Sequence, residues 1–427
     1  MPPNTKKVLI ITYYWPPSAG GGVQRWLKFV KHLPACGWEP IVYTPDNPDY
    51  SLQDASLLAD LPSDIKVLKK KIWEPYSLLK LFGKSSKGKN TGQIQNNSLF
   101  SKMMSWVRGN FFVPDPRKYW VNPSVSFLRD YISEQGINTV ITTGPPHSMH
   151  LIGHKLKALL DINWIVDIRD PWSKFDLLDH YYILPFRRAK YTRLEKSVLD
   201  ACDKVLATSP SMITQLVDFD SSKFHAITNG YDASDFIDNA DLSDNASCLI
   251  YHAGLISSFR NPINLWGALN VICGQDTGKA KRLSVQLVGS IESSVISTIQ
   301  HMQALNSRLQ LDPYKPHEEV LMDYRKANFL LLLVNDSDNA RVNIPGKAFE
   351  YLAARKPIIC VSKRGTDVWN ILEKYDHVFL LEYKTPIDEI VEPLINFLEN
   401  AKAGSYDATQ YTRLSLTGDL VKVLESL

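Results

Sequence analysis

Phe329-Leu-Leu-Leu-Leu-Val334 and Pro357-Ile-Ile-Cys-Val361 are continuous apolar runs with no polar residue to face water. Strands of an antiparallel sheet usually alternate, whereas runs like these belong to strands buried on both faces of a parallel sheet. Parallel neighbours need a crossover, usually a helix, and the intervening residues supply one. Pro345 and Gly346 fit a tight turn into a helix, and Pro357 stops it. Phe349, Leu352 and Ala353 share one apolar face, while Lys347 and Glu350 lie together on a more polar face near the helix start. A Gly-containing start leaves backbone N–H groups open and Lys347 adds positive charge, which suits a phosphate. Glu350 can accept hydrogen bonds from a sugar or ribose hydroxyl pair. An ordinary surface helix with a Lys–Glu pair accounts for the same residues.

The unit recurs along the chain. Lys7–Thr12 is a short buried strand, Tyr13–Gly22 a loop, and Val23–Leu33 a helix with Val23, Trp26, Leu27, Val30 and Leu33 inward. Gly20, Gly21 and Gly22 allow close approach of a ligand phosphate, or serve a flexible turn. They do not form G-x-G-x-x-G, so no dinucleotide site is indicated. Further strands are expected at 40–44, 139–143, 164–167, 204–208 and 224–227, with helices to Leu160, over 187–201 and from Ser209. Asp232–Ser247, rich in Asp, Asn and Ser, predicts a linker. Alternation resumes with strands at 249–252, 284–288 and 309–311 and helices at 262–273 and from Pro316; helices 386–399 and 419–427 close the chain.

The expected organisation is therefore an N-terminal Rossmann-like domain over 1–231, a linker over 232–247, a second such domain over 248–400 and a helical tail over 401–427 that crosses back to the first domain. A chain of 427 residues, 44% apolar, suits two or three domains with large cores. Ligands of parallel sheets bind at the carboxyl ends of the strands, and two such domains place the natural site in an interdomain cleft. Five scattered cysteines form no C-x-x-C pair, which suggests neither a zinc site nor a disulfide framework and points to a reducing compartment. The N-terminus runs into a strand with no signal peptide, and no apolar run is long enough to span a bilayer. A cytoplasmic protein is expected, peripheral at most on the inner face of the membrane.

Residues 66–118 differ from the rest. They hold twelve Lys or Arg against Glu74 and Asp115, a net charge of +10. The centre, 83–98, is polar and flexible in composition; the flanks 76–82 and 99–113 are apolar and aromatic. Such a segment suits a membrane surface or an anionic, lipid-linked acceptor. A solvated loop flanked by core helices is the plain alternative. No nucleic-acid-binding motif is present.

In this layout Gly20–Gly22, Gly144-Pro-Pro-His-Ser148, Asp167-Ile-Arg-Asp-Pro-Trp172, Thr228-Asn-Gly-Tyr-Asp232, Tyr251-His-Ala-Gly254, Leu287-Val-Gly289 and Pro345-Gly-Lys-Ala-Phe-Glu-Tyr-Leu-Ala-Ala354 follow in order over nearly the whole chain. The chain thereby resembles the family 4 retaining glycosyltransferases, which have the GT-B fold: α/β, two facing Rossmann-like domains with an interdomain cleft. Asp-x-Arg-Asp-x-Trp resembles members that build bacterial surface polysaccharides.

The resemblance implies a hexosyltransferase-type enzyme. It would move a sugar from a nucleotide diphosphate sugar to a glycan or lipid-linked acceptor hydroxyl, with retention and without cofactor or metal. It implies a donor site on the second domain at Gly254, Arg260, Gly289, Pro345, Gly346, Lys347 and Glu350, with Gly20, Gly21 and Gly22 also serving the diphosphate. Glu350 matches the second acid of the family's E-x7-E pattern, but Val342 stands where the first belongs, and Leu255 replaces one of the diphosphate-binding cations. Lys347 or Arg341 would compensate. On the N-terminal side the implied catalytic candidates are Asp167, Arg169, Asp170 and His147. Asp167 or Asp170 would position an acceptor hydroxyl or take its proton, and Arg169 would pair with either acid. The alternatives are a strand-end salt bridge and, for His147, a cap on the following helix. Asp336-Ser-Asp338 matches the metal-binding D-x-D of a different glycosyltransferase fold, and here predicts a polar loop. Two other functions fit the same layout: a nucleotide-sugar 2-epimerase, and a non-catalytic binding or scaffold protein.

Overall fold

The computed structural model describes residues 6–18, 20–50, 53–58, 60–62, 64–74, 99–236, 242–243, 247–275, 278–404 and 407–427. The centre of the basic segment and half of the expected linker, 237–241 and 244–246, lie outside the described residues. The chain divides into two compact units, Met1–Thr228 with Arg413–Leu427, and Asn229–Thr412.

The first unit is built on a seven-stranded parallel sheet: β1 Lys6–Ile11, β2 Trp38–Pro45, β3 Lys66–Lys70, β4 Thr139–Gly144, β5 Asn163–Ile168, β6 Lys204–Ala207 and β7 Phe224–Ala226. Their order is β3-β2-β1-β4-β5-β6-β7. The order reverses between β1 and β4, so the loops after these two strands diverge and leave a crevice. The Gly20–Gly22 loop and Gly144–Ser148 are those loops.

The second unit repeats the plan with six parallel strands: β8 Cys248–Ala253, β9 Leu283–Val288, β10 Leu309–Asp312, β11 Phe329–Leu333, β12 Ile358–Val361 and β13 Val378–Leu381. The order β10-β9-β8-β11-β12-β13 reverses between β8 and β11. Alternation along β11 explains its unbroken apolar run. Leu331 and Leu333 enter one core cluster with Leu265 and Leu394. Leu330 and Leu332 enter another with Phe349 and Leu352, on the opposite face. The helix Gly346–Ala354 ends at Arg355, which takes φ 58° as the left-handed cap before Pro357.

Several elements differ from the sequence expectation. Lys66–Lys70, where no strand was expected, is an edge strand parallel to β2. Lys66 and Lys70 lie 5.1 Å from the rings of Tyr131 and Phe127, which belong to an unforeseen helix, Val121–Gln135. Lysines on a sheet edge discourage pairing with another chain. The stretch from Ser209 makes only a 3₁₀ turn, Pro210–Gln215. The final helix spans Arg413–Glu425 and packs on the helix Gly21–His32, sharing one apolar cluster through Leu416, Leu420 and Leu424.

Candidate active site

In the first unit the candidates divide into a buried knot and a pocket. Asp167, on β5, has no exposed surface. Its Oδ1 accepts from Arg25 Nε at 3.2 Å and Nη2 at 3.0 Å. Its Oδ2 accepts from Trp26 Nε1 and Thr143 Oγ1, both at 2.7 Å. Arg25 Nη1 then donates to the carbonyls of Ile227 at 2.8 Å and Thr228 at 3.0 Å. Two fully buried charges persist only when paired and hydrogen-bonded in this way. Asp167 thus joins helix, strand and chain exit inside the unit and presents no carboxylate to an acceptor. Its partner is Arg25, not Arg169.

Arg169 and Asp170 follow β5 into a loop. The Arg169 side chain donates to the carbonyls of Gly144 at 3.2 Å and Pro145 at 2.6 Å. A Cβ on Gly22 would lie 1.5 Å from Arg169 Nη1, so the missing side chain at the start of the Gly21–His32 helix makes room for the guanidinium. Burial pulls the Arg169 pKa down, opposed by Asp167 and Asp170. Burial raises that of Asp170, opposed by Arg169. Gly20, exposed and at φ 111°, precedes the helix without a side-chain cap.

His147 stacks on Trp172 with ring centroids 4.7 Å apart and planes 4° from parallel. It does not cap the next helix: Asp115 does, accepting from Ser148 N and Oγ at 2.8 Å. Burial, then His150 and Arg169, hold the His147 pKa well below the ordinary 6.5, so the ring is neutral at pH 7. Its Nδ1 is buried without a hydrogen-bond partner. His147, Asp170, Trp172, Arg108, Phe112 and Tyr181 line a cavity of about 110 Å³. Glu74 and Arg117, from the basic segment, form a buried pair at 3.0 Å, and Glu74 also accepts from the Tyr13 hydroxyl, to which Arg117 donates. Part of that segment's charge is therefore structural.

In the second unit the donor candidates gather where β8, β9 and β11 end. Gly254 and Gly289 have φ 146° and 115°. A Cβ on Gly289 would lie 2.6 Å from the Gly254 carbonyl oxygen, so the two loops approach backbone to backbone. Lys347 reaches over this point and donates to the Ala253 carbonyl. Burial, with Arg260 adding to it and Glu350 opposing, lowers its pKa to about 8. Arg260 donates to Asn335 Oδ1 and, at 3.5 Å, to the Leu255 carbonyl; burial lowers its pKa too. Pro345 precedes the Gly346 helix without a side-chain cap, and a Cβ on Gly346 would meet nothing within 4 Å. That helix start is open. Glu350 Oε2 accepts from the buried Tyr324 hydroxyl at 3.2 Å, which fixes the carboxylate.

Val342 is buried, so no acid is offered there, and Arg341 is exposed. Among the described residues no group of three His, Cys, Asp or Glu gathers to hold a metal. Sequence reading missed His252, buried beside Gly254, with Nδ1 2.8 Å from the Leu331 carbonyl and burial pushing its pKa down to about 3. It also missed Arg25, Tyr324 and Asn335, whose partners lie far along the chain.

Residues 95–235 match the sequence profile of Glycosyltransferase Family 4. No curated protein matches the chain significantly. Sucrose-phosphate synthase from Thermosynechococcus elongatus is similar in structure, with TM-score 0.63 and 12% identity over 99% of this chain and 98% of that one. HepE from Anabaena, in complex with UDP and glucose, gives TM-score 0.59 and 12% identity over 99% and 100%. The lipopolysaccharide outer core galactosyltransferase WaaB gives TM-score 0.56 and 12% identity over 99% and 99%. At such identities the structures speak for the fold. With two switch-point sheets and these shared architectures the chain has the GT-B fold, and its residues 95–235 carry the likeness to Glycosyltransferase Family 4.

Proposed function

We propose that this protein is a glycosyltransferase that moves a sugar from a nucleotide diphosphate sugar to an acceptor hydroxyl, with retention, in bacterial polysaccharide or glycolipid synthesis. The observation that carries this reading is the geometry at the end of β8, where Lys347 and Arg260 stand beside the open helix start at Gly346. Two cations and a helix start without a side-chain cap are what a departing diphosphate needs. Lys347, with its pKa near 8, remains largely charged at pH 7. Glu350, held by Tyr324, takes the ribose hydroxyls. In the first unit Asp170 orients the acceptor hydroxyl and accepts its proton late in transfer, while neutral His147 hydrogen-bonds the acceptor. The acceptor is lipid-linked and met at a membrane surface. Among the described residues no helix is long and apolar enough to cross a membrane.

The test is a thermal-shift panel of UDP, GDP, CDP, ADP and dTDP on the natural chain and on Glu350→Ala. UDP comes first because it occupies the HepE structure. At a hundredfold excess over Kd a specific diphosphate stabilises by about 2.7 kcal/mol, and the variant should lose most of that shift. No shift with any diphosphate sinks the donor assignment. A shift followed by acceptor-independent isomerisation of the sugar replaces the transferase with an epimerase.

A further inference from the structure

The helix Leu99–Phe111 and the segment after Tyr181 are tied side by side. Asn110 Nδ2 donates to the Tyr182 carbonyl at 3.3 Å, and its Oδ1 accepts from Leu184 N at 2.9 Å. A Cβ on Gly109 would lie 2.7 Å from Tyr181 Cβ, so the backbones touch. The outer side of this pair leaves large apolar side chains in water: Met103 is 54% exposed, Phe111 55%, Tyr182 55% and Phe186 63%. Trp73, half exposed, meets Tyr119 edge-on at 4.9 Å, and Tyr119 meets Phe112 at 6.4 Å.

Cations stand among these rings. Lys118 lies 5.6 Å from the Phe112 ring and donates to the Phe111 carbonyl at 2.6 Å. Arg187 lies 5.1 Å from the Phe186 ring. Residues 99–111 and 182–194 contain six Lys or Arg and no acid. Lys190 and Arg187 reinforce burial in lowering the Lys118 pKa, a sign that positive charges crowd this face. Protein–protein interfaces are depleted of lysine at their centres. Aromatic and Met side chains mixed with cations on apolar stems suit the boundary between headgroups and acyl chains, and the excess of cations, among which Arg188 pairs with an exposed acid, Asp179, at 2.9 Å, favours anionic headgroups. The face also reaches the candidate acceptor pocket: Arg108, Phe112 and Tyr181 line the cavity whose other wall holds His147 and Asp170.

We propose that this face docks on anionic phospholipid bilayers and that the hydroxyl brought to Asp170 belongs to an acceptor presented at that lipid surface. The second half rests on the reading of Asp170 given above; the docking half does not. The test is co-sedimentation of the full chain with phosphatidylcholine vesicles with and without phosphatidylglycerol, at low and high salt. Binding should require phosphatidylglycerol and weaken with salt. Lys102→Glu and Arg187→Glu should each lower it on the order of fivefold, and Phe111→Ser with Phe186→Ser should lower it at both salt levels. The same variants should keep the nucleotide-induced thermal shift, which shows that they fold. Binding unaffected by these substitutions, or no binding at low salt, overturns the proposal. So does a natural chain that dimerises through these residues and ignores vesicles. Vesicle binding without any nucleotide shift would leave the docking face standing and remove the donor assignment instead.

Discussion

Nζ of Lys347 lies 2.1 Å from where a Cβ on Gly254 would stand. The lysine that would meet a diphosphate is therefore seated by a residue 93 positions earlier that has no side chain. Gly254→Ala should displace the ammonium and also strain a backbone at φ 146°. The strain alone costs on the order of 1–3 kcal/mol, readable as a lower urea midpoint. Adding Lys347→Ala should not restore that midpoint, because the backbone strain remains. Full recovery in the double variant would show that the side-chain clash was the whole effect.

Lys347 should make diphosphate binding depend on pH. Its pKa is lowered from 10.5 to about 8, so its charge is lost as pH rises through that value and affinity should fall above it. Stability moves the other way. Between about 8 and 10.5 the unfolded chain binds more protons, so raising the pH across that window relieves the burial penalty that is fully present below it. Titration calorimetry from pH 7 to 10 checks the binding limb. Lys347→Arg should flatten it; a natural chain with flat affinity would place the diphosphate elsewhere.

Removing one member of the Arg25–Asp167 pair should act on stability first. Both side chains are fully buried and the contact is 3.0 Å, and a stranded buried charge typically costs about 3–5 kcal/mol. Asp167→Ala should lower the denaturation midpoint accordingly. A variant that stays as stable as the natural chain yet loses turnover would make Asp167 a catalytic group after all.

Asp170 and His147 make opposite forecasts for a pH–rate profile. Burial raises the Asp170 pKa, so a role as base predicts an acid limb above the usual carboxylate range, lost in Asp170→Asn. The His147 pKa is held well below 6.5, so His147→Gln should change KM or kcat without moving any ionisation near pH 6.5. A limb at that pH that disappears with His147 contradicts the neutral ring.

Much of this was legible in sequence because it is local. Apolar runs announced the central strands, glycines and prolines marked the loops at their carboxyl ends, and the family resemblance grouped Gly254, Gly289, Gly346 and Lys347 as one donor site. Two edge strands were not legible, although the edges at 224–227 and 309–311 were: Lys66–Lys70 carries three lysines and pairs on one side only, so its polarity hid a strand. Val378–Leu381, one edge of the other sheet, is shorter still and only partly buried.

The sequence by itself determined two parallel-sheet units and the loops at the carboxyl ends of their strands, since burial on both faces demands continuous apolar strands and crossover helices. Only the tertiary structure decided which side chains complete the sites. Asp167 pairs with Arg25, 142 residues away; Asp115 caps a helix 33 residues on; Tyr324 orients Glu350 across 26 residues. Strand order brings these partners together, and strand order is a property of packed sheets that no local pattern of residues encodes.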